Sequence, residues 1–194
     1  MTDPLIENAK TRCWWCGDDP QYVAYHDEEW GVPIHDDVKL FELLNLEGAQ
    51  AGLSWITILR KRDNYRLAFD NFDPEKIAQY DAAKIAELLD NPGIVRNKLK
   101  VNGVVTNAKL FLEMRDAGES FSEYLWSFVD GQTIKNQLKT KDEVQGTSPE
   151  SDAMSKALKK RGFKFIGSTI CYAFMQSAGM VNDHLVDCFR YEEV

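Results

Sequence analysis

The chain has 194 residues, of which 44% are hydrophobic and 28% are charged, and its net charge is −8 at pH 7. That composition is typical of one globular domain and argues against a disordered chain or a repeat array, and no apolar run approaches the length of a membrane span. The acidic charge excludes a protein that grips nucleic acid over its whole surface, because phosphate binding needs concentrated lysine and arginine.

We expect a flexible tail over residues 1–12 and a single domain over residues 13–194. The tail is polar and lacks the apolar core of a signal peptide, which predicts a cytoplasmic protein with no membrane partner. We also expect a monomer. The four cysteines point to metal binding or core packing, since disulfides are rare in that compartment.

The first strong helix signal covers residues 36–51, where an aspartate can cap the start. The predicted apolar face carries Leu40, Leu44 and Ala51, and stepping by 3.6 residues places Glu47 in the middle of that face. A carboxylate is therefore predicted to point into the interior. An unpaired charge there is costly unless it is neutralised or finds a partner.

Three further helices are predicted before residue 90, over residues 52–62, 74–80 and 82–89. The first of them starts with the flexible pair Gly52 and Leu53. Each carries apolar residues at helical spacing, which indicates that all three pack against a common core.

A turn over residues 90–94 then leads into a long amphipathic helix. In this turn Pro92 fixes one backbone dihedral, and Gly93 permits a positive one. The two helices and the turn form a candidate helix-hairpin-helix, a motif whose backbone N–H groups can bind a DNA phosphate. Arg96 and Lys98 follow the turn and suit such a contact. A plain helical corner would explain the same pattern.

The predicted helices of the second half cover residues 96–116, 152–161 and 168–178, with a polar loop over residues 131–149. No run of alternating apolar and polar residues indicates a strand. The predicted fold class is therefore all-α.

One segment of this acidic chain is locally basic. Residues 153–182 contain no acidic residue and five basic ones, which are Lys156, Lys159, Lys160, Arg161 and Lys164. This pattern indicates either a face that contacts nucleic acid or an ordinary solvated helix face, and the sequence leaves both open.

Two cysteines and two histidines near the ends of the chain form a candidate metal site, made of Cys13, His26, His184 and Cys188. Four N and S donors are what a structural tetrahedral zinc site requires. The i, i+4 spacing of His184 and Cys188 predicts that both lie on one face of a helix. A histidine that caps a loop and a cysteine packed in the core would have the same spacing. Cys16 forms a C-x-x-C pair with Cys13 and is an alternative ligand or a redox partner.

Aromatic residues crowd the first 55 positions, namely Trp14, Trp15, Tyr22, Tyr25, Trp30 and Trp55. Such crowding indicates either a large core or a surface on which a flat ligand stacks. Glu47 favours the second interpretation, because a buried carboxylate needs a partner. A cationic purine flipped out of DNA would supply both a positive charge and a ring that stacks on indole.

Four long segments resemble the 3-methyladenine DNA glycosylase I family. They are residues 19–33 (DPQYVAYHDEEWGVP), 46–57 (LEGAQAGLSWIT), 155–167 (SKALKKRGFKFIG) and 179–184 (GMVNDH). The similarity runs from residue 13 to residue 188. It implies a helix-hairpin-helix scaffold and a monofunctional enzyme that excises 3-methyladenine from alkylated double-stranded DNA, releases it as the free base and does not nick the strand.

The resemblance also implies roles for single residues in the pocket. Glu47 and Tyr25 would form the catalytic pair that hydrogen-bonds the base, and Trp55 would stack on it. Trp15, Trp30 and Tyr22 would wall the pocket, while the choice between Trp14 and Trp15 stays open. The four N and S donors would bind one structural zinc ion per chain, which joins the N- and C-terminal segments.

The DNA-contacting set implied by the resemblance and the basic pattern is Gly52, Leu53, Pro92, Gly93, Arg96, Lys98, Lys159 and Lys160. Within this set, Gly52 and Leu53 would sit at the gap left by the flipped base. Two other interpretations stay open. One is a catalytically silent binder of alkylated DNA or free methyladenine, and the other is an unrelated zinc-stabilised helical protein in which Glu47 is structural.

Overall fold

The computed structural model of the protein describes residues 10–194, so positions 1–9 of the predicted tail lie outside the described residues. The last positions of that tail contact the domain. The carbonyl of Thr11 accepts a hydrogen bond from the backbone N–H of Phe189 at 3.0 Å. The guanidinium of Arg12 pairs with Asp27 at 2.7 Å.

The described residues are mostly helical. The α-helices are α1 Pro20–Glu28, α2 Asp37–Gln50, α3 Trp55–Leu59, α4 Arg62–Ala68, α5 Pro74–Ile77, α6 Ala82–Asp90, α7 Lys98–Asp116, α8 Phe121–Trp126, α9 Pro149–Arg161 and α10 Ser168–Ser177. Short 3-10 helices cover Trp14–Cys16, Asp70–Phe72, Ser127–Val129 and Lys141–Glu143. None of the helices in residues 10–194 has the length and apolar character needed to cross a membrane.

Local capping explains where the long helices begin. The Asp36 side chain accepts from the N–H of Lys39 at 2.8 Å and starts α2. Asn97 accepts from the N–H groups of Leu99 and Lys100 and starts α7. The predicted helices that correspond to α2 and α7 therefore have the expected positions, with ends that differ by one or two residues.

The predicted helix over residues 52–62 is shorter in the structure, where α3 occupies its centre and α4 begins only at its last residue. Gly52 has a φ of +80°, a left-handed conformation that ends the preceding helix, and α3 starts only at Trp55. The chain turns again at Lys61 before α4. The prediction was wrong here because apolar spacing alone does not register a glycine with a positive φ.

Three helices, α1, α4 and α8, were not predicted from the sequence, and two of them have clear capping signals. The start of α1 carries a strong local signal, because Asp19 accepts from the N–H groups of Gln21 and Tyr22, and Pro20 occupies the first turn. The start of α8 is capped by Ser120, whose hydroxyl accepts from the N–H of Glu123. The sequence carries a capping residue at the start of each of these two helices, but neither helix has the long apolar stripe that would have indicated it.

The prediction that the chain has no strand was also wrong in one place. Ile134–Lys135 and Val181–Asn182 form a two-residue parallel pair, β1 and β2, in which Ile134 lies opposite Val181. Two residues are too few to show alternation. This pair attaches the long loop after α8 to the segment that follows α10.

The core forms where α10 packs on α9 and α2 and where α7 packs on α5 and α6. A second, smaller apolar cluster contains Cys13, Tyr25, Trp30, Leu59 and Cys188. The smaller cluster joins the two ends of the chain. Its position next to α1 and α10 determines where the candidate sites described below are found.

Candidate base-binding cavity and metal cluster

A cavity of about 210 Å³ opens between α1, the end of α2, the start of α3 and α10. We call it the aromatic cavity, and its lining residues are Trp14, Trp15, Tyr22, Tyr25, Trp30, Glu47, Gln50, Trp55, Val144, Ala173, Gln176, Ser177 and Asp183. Its size is below the roughly 300–1,000 Å³ typical of sites for drug-sized ligands. It therefore suits a small, flat ligand.

The rings of this cavity contact one another in tilted and edge-on arrangements. The Trp15 ring centroid lies 4.9 Å from that of Trp30 and 5.0 Å from that of Tyr22. The Tyr25 and Trp55 rings are 5.5 Å apart. Trp14 lies at the edge, with 47% of its surface exposed. Trp15 is thus the more enclosed of the two neighbouring tryptophans.

Glu47 is buried at one end of the aromatic cavity, with 2% of its surface exposed. Its Oε1 accepts a hydrogen bond from the hydroxyl of Ser177 at 2.8 Å. Its Oε2 is also buried and has no partner among the described residues. Burial raises the pKa of Glu47 to about 8, although the hydrogen bond from Ser177 opposes that rise. A buried oxygen without a partner is costly, so it marks a place where a ligand can bind.

Tyr25 belongs to the same hydrogen-bonded group. It is 4% exposed, and its hydroxyl donates to the Oγ of Ser177 at 3.0 Å. Burial raises the pKa of Tyr25 well above its ordinary value, and the negative charge of Glu47 raises it further. Tyr25 therefore stays protonated at neutral pH. The Nε1 of Trp55 is buried and, within residues 10–194, also lacks a partner.

The charge of the cavity is entirely negative. Its described lining contains two carboxylates and no lysine, arginine or histidine. The second carboxylate, Asp183, accepts from Asn136, Tyr172 and Gln176, each at 2.7 Å. Because three donors already bond to Asp183 and only one reaches Glu47, Glu47 is the carboxylate with the greater capacity for a cationic ligand.

A cluster of two cysteines and two histidines that could hold a metal ion lies beside the aromatic cavity. The donor atoms of Cys13, His26, His184 and Cys188 all lie within 4.8 Å of one another, and all four residues are buried. The Nδ1 of His184 is 3.6 Å from the Sγ of Cys13 and 3.5 Å from that of Cys188, and the Nε2 of His26 is 3.4 Å from the Sγ of Cys188. Nitrogen and sulfur ligands of one tetrahedral zinc ion are about 3.6 Å apart. The cluster thus has the spacing of a metal site.

The outer hydrogen bonds orient both imidazoles. The Nε2 of His184 lies 3.1 Å from the carbonyl oxygen of Trp30, and the Nδ1 of His26 lies 2.8 Å from a carboxylate oxygen of Asp27. Arg12 holds Asp27 in place and lowers its pKa to about 2. Each imidazole therefore uses one nitrogen for an oxygen acceptor and directs the other to the cysteines, an arrangement common among metal-bound histidines.

Cys16 does not join the cluster. Its thiol donates to the carbonyl oxygen of Cys13 at 3.2 Å. The pKa of Cys188 is lowered, because the thiol of Cys13 donates to it, while the pKa of Cys13 is raised by that same bond and by burial. Thiolate character is what a metal ligand needs. All four cysteines are free.

The predicted helical face for His184 and Cys188 was wrong. Residues 183–185 are irregular and residues 186–187 form a turn, closed by the N–H of Cys188, which donates to the carbonyl of Leu185 at 2.8 Å. The turn brings Cys188 back to His184, so a spacing of four residues produces proximity without a helix.

The loop at the end of α2 lies next to the cavity. Gln50 lines the cavity, and Gly52 and Leu53 follow it on the exposed surface, where 42% of the Leu53 side chain is accessible. The ammonium group of Lys100 donates to the carbonyls of Ala49 and Ala51 at 2.8 and 2.6 Å and holds this loop. The tip of this loop therefore presents an exposed apolar side chain next to the cavity opening.

The hairpin between α6 and α7 differs from its prediction in one detail. Gly93 does not have a positive φ, and a Cβ there would lie 2.9 Å from the side-chain oxygen of Asn91. Close packing, not backbone conformation, therefore explains this glycine. The carbonyl of Pro92 accepts from Lys61 at 2.9 Å, while Arg96 and Lys98 are exposed.

An acidic side chain from another part of the chain neutralises one of the cations of the basic segment. Arg161 is paired with Glu119 at 2.6 Å, and its guanidinium lies 4.3 Å from the Tyr124 ring. Lys159 and Lys160 are exposed in the last turn of α9. These two lysines thus stay available for phosphates.

Comparison with known proteins places these features in one family. A sequence profile of the family described as methyladenine glycosylase matches residues 15–191. The "DNA-3-methyladenine glycosylase 1" of Escherichia coli K12 is 52% identical over 180 residues, which are 93% of this chain and 96% of that protein.

Two solved structures are similar in fold. A crystal structure of "3-methyladenine DNA glycosylase I (TAG)" has a TM-score of 0.91 and 54% identity, covering 92% of this chain and 98% of that one. A Staphylococcus aureus structure, described as the basis of 3-methyladenine recognition by the same enzyme, has a TM-score of 0.89 and 40% identity, covering 94% and 97%. The protein described here is a member of the methyladenine glycosylase family.

Proposed function

We propose that this protein is a DNA repair glycosylase that excises 3-methyladenine from alkylated DNA by hydrolysing its N-glycosidic bond. Two kinds of observation support the proposal. The chain belongs to the methyladenine glycosylase family and is 52% identical to a relative named for this activity. The cavity also has the shape, the rings and the charge that such a base requires.

The observation that carries the proposal is the unpartnered Oε2 of Glu47, buried among aromatic rings and facing no cation of the described lining. Methylation at N3 places a positive charge on adenine while the base is attached to DNA. Glu47 in its ionised form attracts that charge, and a buried site strengthens the attraction. A neutral, undamaged adenine gains nothing from it.

The same geometry accounts for cleavage and release. When the bond from the sugar to the base breaks, its electron pair moves to the base, which becomes neutral, and positive charge develops on the sugar. Water then adds to the sugar carbon. The neutral product keeps its hydrogen bonds but loses the charge attraction to Glu47, which weakens its binding and favours release. We assign Trp55 to stacking on the base and Trp15, Trp30 and Tyr22 to the walls, because these rings surround the cavity.

We propose that the enzyme is monofunctional. A lyase of this kind forms a Schiff base through an amine, and the cavity lining drawn from residues 10–194 contains no lysine. Excision should therefore leave an abasic site in an intact strand.

We propose zinc as the occupant of the metal cluster, with one structural ion per chain. Two thiolates and two imidazoles with no open position form the donor set of a closed zinc site, and the nitrogen-to-sulfur distances fit it. The ion would join the two ends of the chain, for example Cys13 and His184, which are 171 positions apart. When bound, it supplies stability and no chemical step.

We also propose a DNA surface, built on α6, α7 and their turn as a helix-hairpin-helix. The turn with Pro92 and Gly93 would offer backbone groups to a phosphate, with Arg96 and Lys98 beside it. Lys159 and Lys160 would form a second contact, and Gly52 and Leu53 would fill the space left by the flipped base. We expect a cytoplasmic monomer that binds duplex DNA.

Base release from methylated DNA tests the proposal directly. The wild-type protein should release 3-methyladenine, identified by chromatography, without nicking the strand. Glu47→Gln should lower the release rate by at least about a hundredfold, as loss of a preorganised electrostatic group typically does. A protein that binds alkylated duplex tightly but releases no base would be a silent binder and would contradict the proposal.

A further inference from the structure

Ser177 is the one residue that joins the two groups assigned to the base. It lies at the end of α10 and is 7% exposed, facing Glu47 of α2 and Tyr25 of α1. Its Oγ is 2.8 Å from the Oε1 of Glu47 and 3.0 Å from the hydroxyl of Tyr25. Three helices therefore meet at a single hydroxyl group.

The proton count of this group fixes the direction of each hydrogen bond. Ser177 has one hydroxyl proton, and Glu47 can only accept in the ionised form that a bound cationic base favours, so in that complex Ser177 donates to Glu47. Ser177 must then accept from Tyr25, whose own proton is used in that bond. As a result, the Tyr25 oxygen and the Oε2 of Glu47 are left with free lone pairs and no proton to offer.

We propose that Ser177 is a positioning residue that makes the Glu47 end of the cavity accept hydrogen bonds without donating any, and that it thereby selects a base edge with an amine over one with a carbonyl. This inference rests on the proposed function. The exocyclic amine of 3-methyladenine can donate to both oxygens. The carbonyl of 3-methylguanine would face two acceptors and find no donor there.

The remaining donors near this end do not change the selection. The side-chain amide of Gln176 is already bonded to Asp183 at 2.7 Å. The N–H of Trp55 lies in the plane of its ring, so it cannot reach the edge of a base that stacks on the ring face. Forcing a carbonyl against buried acceptors costs far more than a missing contact, which is why such sites discriminate strongly.

Ser177 should also influence the pKa of Glu47, because no cation faces this carboxylate from the described cavity lining. Tyr22 and Tyr25 of α1 and Asp183 after α10 are the titratable groups that share its cavity, and none of them is a cation. The hydrogen bond from Ser177 is what opposes the rise of the Glu47 pKa toward 8. Removing the hydroxyl should therefore raise that pKa further and move any Glu47-dependent pH profile to higher pH.

Three variants test this role, which are Ser177→Ala, the conservative Ser177→Thr and the control Ser155→Ala. Ser155 is also a buried serine, but its hydroxyl donates to the carbonyl of Ile166, away from the cavity. Release of 3-methyladenine and 3-methylguanine is measured from the same methylated DNA over a range of about three pH units, from roughly pH 6 to roughly pH 9. Ser177→Ala should shift the ratio toward 3-methylguanine by about tenfold, the value of one charge-assisted hydrogen bond. Ser177→Thr should keep the wild-type ratio, and so should the control.

An infrared titration of the Glu47 carboxyl, assigned with Glu47→Gln, gives a readout that does not need activity. Ser177→Ala should titrate at higher pH than the wild type. A wild-type ratio together with an unchanged titration in Ser177→Ala would overturn the inference. If the wild-type protein released neither base, the proposed function and the selectivity would both fail, while an unshifted carboxyl would separately exclude Ser177 as its positioning group.

Discussion

The aromatic cavity and the metal cluster lie side by side, and each buries polar atoms among aromatic rings. In the cluster the donor atoms of two cysteines and two histidines face one another, and both imidazoles are fixed by outer oxygen acceptors. In the cavity the Oε2 of Glu47 and the Nε1 of Trp55 face none of the described residues. Buried polar atoms that converge on one point indicate structure, whereas those that stay unpartnered indicate a ligand.

Removing a metal ligand should give the largest change on the structural side of this comparison. Structural zinc contributes on the order of 10 kcal/mol in small zinc modules, which matches the whole stability of a typical domain. Cys188→Ala should therefore lose its metal and lower the Tm by more than about 10 °C. Elemental analysis measures the metal content, and thermal denaturation measures the Tm.

Cys16→Ala is the matched control, since Cys16 is a buried cysteine of the same region that lies outside the cluster. It should keep one metal ion per chain. A Cys188→Ala protein with wild-type metal content and Tm would show that the cluster is only core packing.

Truncating Trp55, the proposed stacking ring, should give the next largest change, this time on the ligand side. Base-to-aromatic stacking contributes about 1–3 kcal/mol, so Trp55→Ala should slow release of 3-methyladenine by about 5- to 150-fold. Metal content should not change. Single-turnover kinetics on methylated DNA measure the loss.

Trp14→Ala is the control for Trp55→Ala, because it truncates another tryptophan of the same cavity. Trp14 is 47% exposed at the cavity edge, so its truncation should cost less than that of Trp55. Equal losses in the two variants would contradict the assignment of Trp55 as the stacking ring.

The raised pKa of Glu47 predicts a smaller effect, on stability. The pKa is about 8 in the folded chain and 4.5 ordinarily, so between these values the folded state binds more protons than the unfolded state. Stability should therefore fall as pH rises through this window. At pH 7 the difference amounts to at most about 3 kcal/mol.

Glu47→Gln removes this titration. Its Tm should exceed that of the wild type at pH 8, and the advantage should disappear as pH falls to 4.5. Glu113→Gln, which changes an exposed carboxylate of α7, should show no such difference. If the Tm of Glu47→Gln and that of the wild type changed with pH in parallel, the pKa of Glu47 would not be raised in the folded protein.

The smallest effect is expected at the surface, outside both regions. Lys98→Ala should weaken binding to all duplexes alike and lower the salt dependence by about one counterion, if Lys98 contacts a phosphate. Arg161→Ala should change the salt dependence of DNA binding less, because Arg161 is already paired with Glu119. Fluorescence titrations at several salt concentrations compare the two, and equal slopes would remove Lys98 from the DNA surface.

Much of the secondary structure was predictable where the cause is local. The cap at Asp36 and the apolar stripes placed α2 and α7 within two residues of their bounds. The same stripe placed Glu47 on a buried face, which the structure confirms. The break at Gly52 and the pair β1–β2 were missed, since the first depends on one backbone angle and the second on contacts across the chain.

The resemblance to a glycosylase family was readable from four contiguous motifs, and the comparisons confirm it. Ser177 was missed. A serine in an apolar helix carries no signal of its own, and its role exists only because the last turn of α10 meets α1 and α2.

By itself the sequence determined the long helices α2 and α7, the buried position of Glu47 and the family, because each depends on residues that are neighbours in the chain. Only the tertiary structure decided how those pieces meet. It brought Cys13 to His184 across 171 positions, formed the turn that returns Cys188, and left one oxygen of Glu47 without a partner. Local spacing cannot specify such meetings, since they follow from the packing of helices that are distant in the chain.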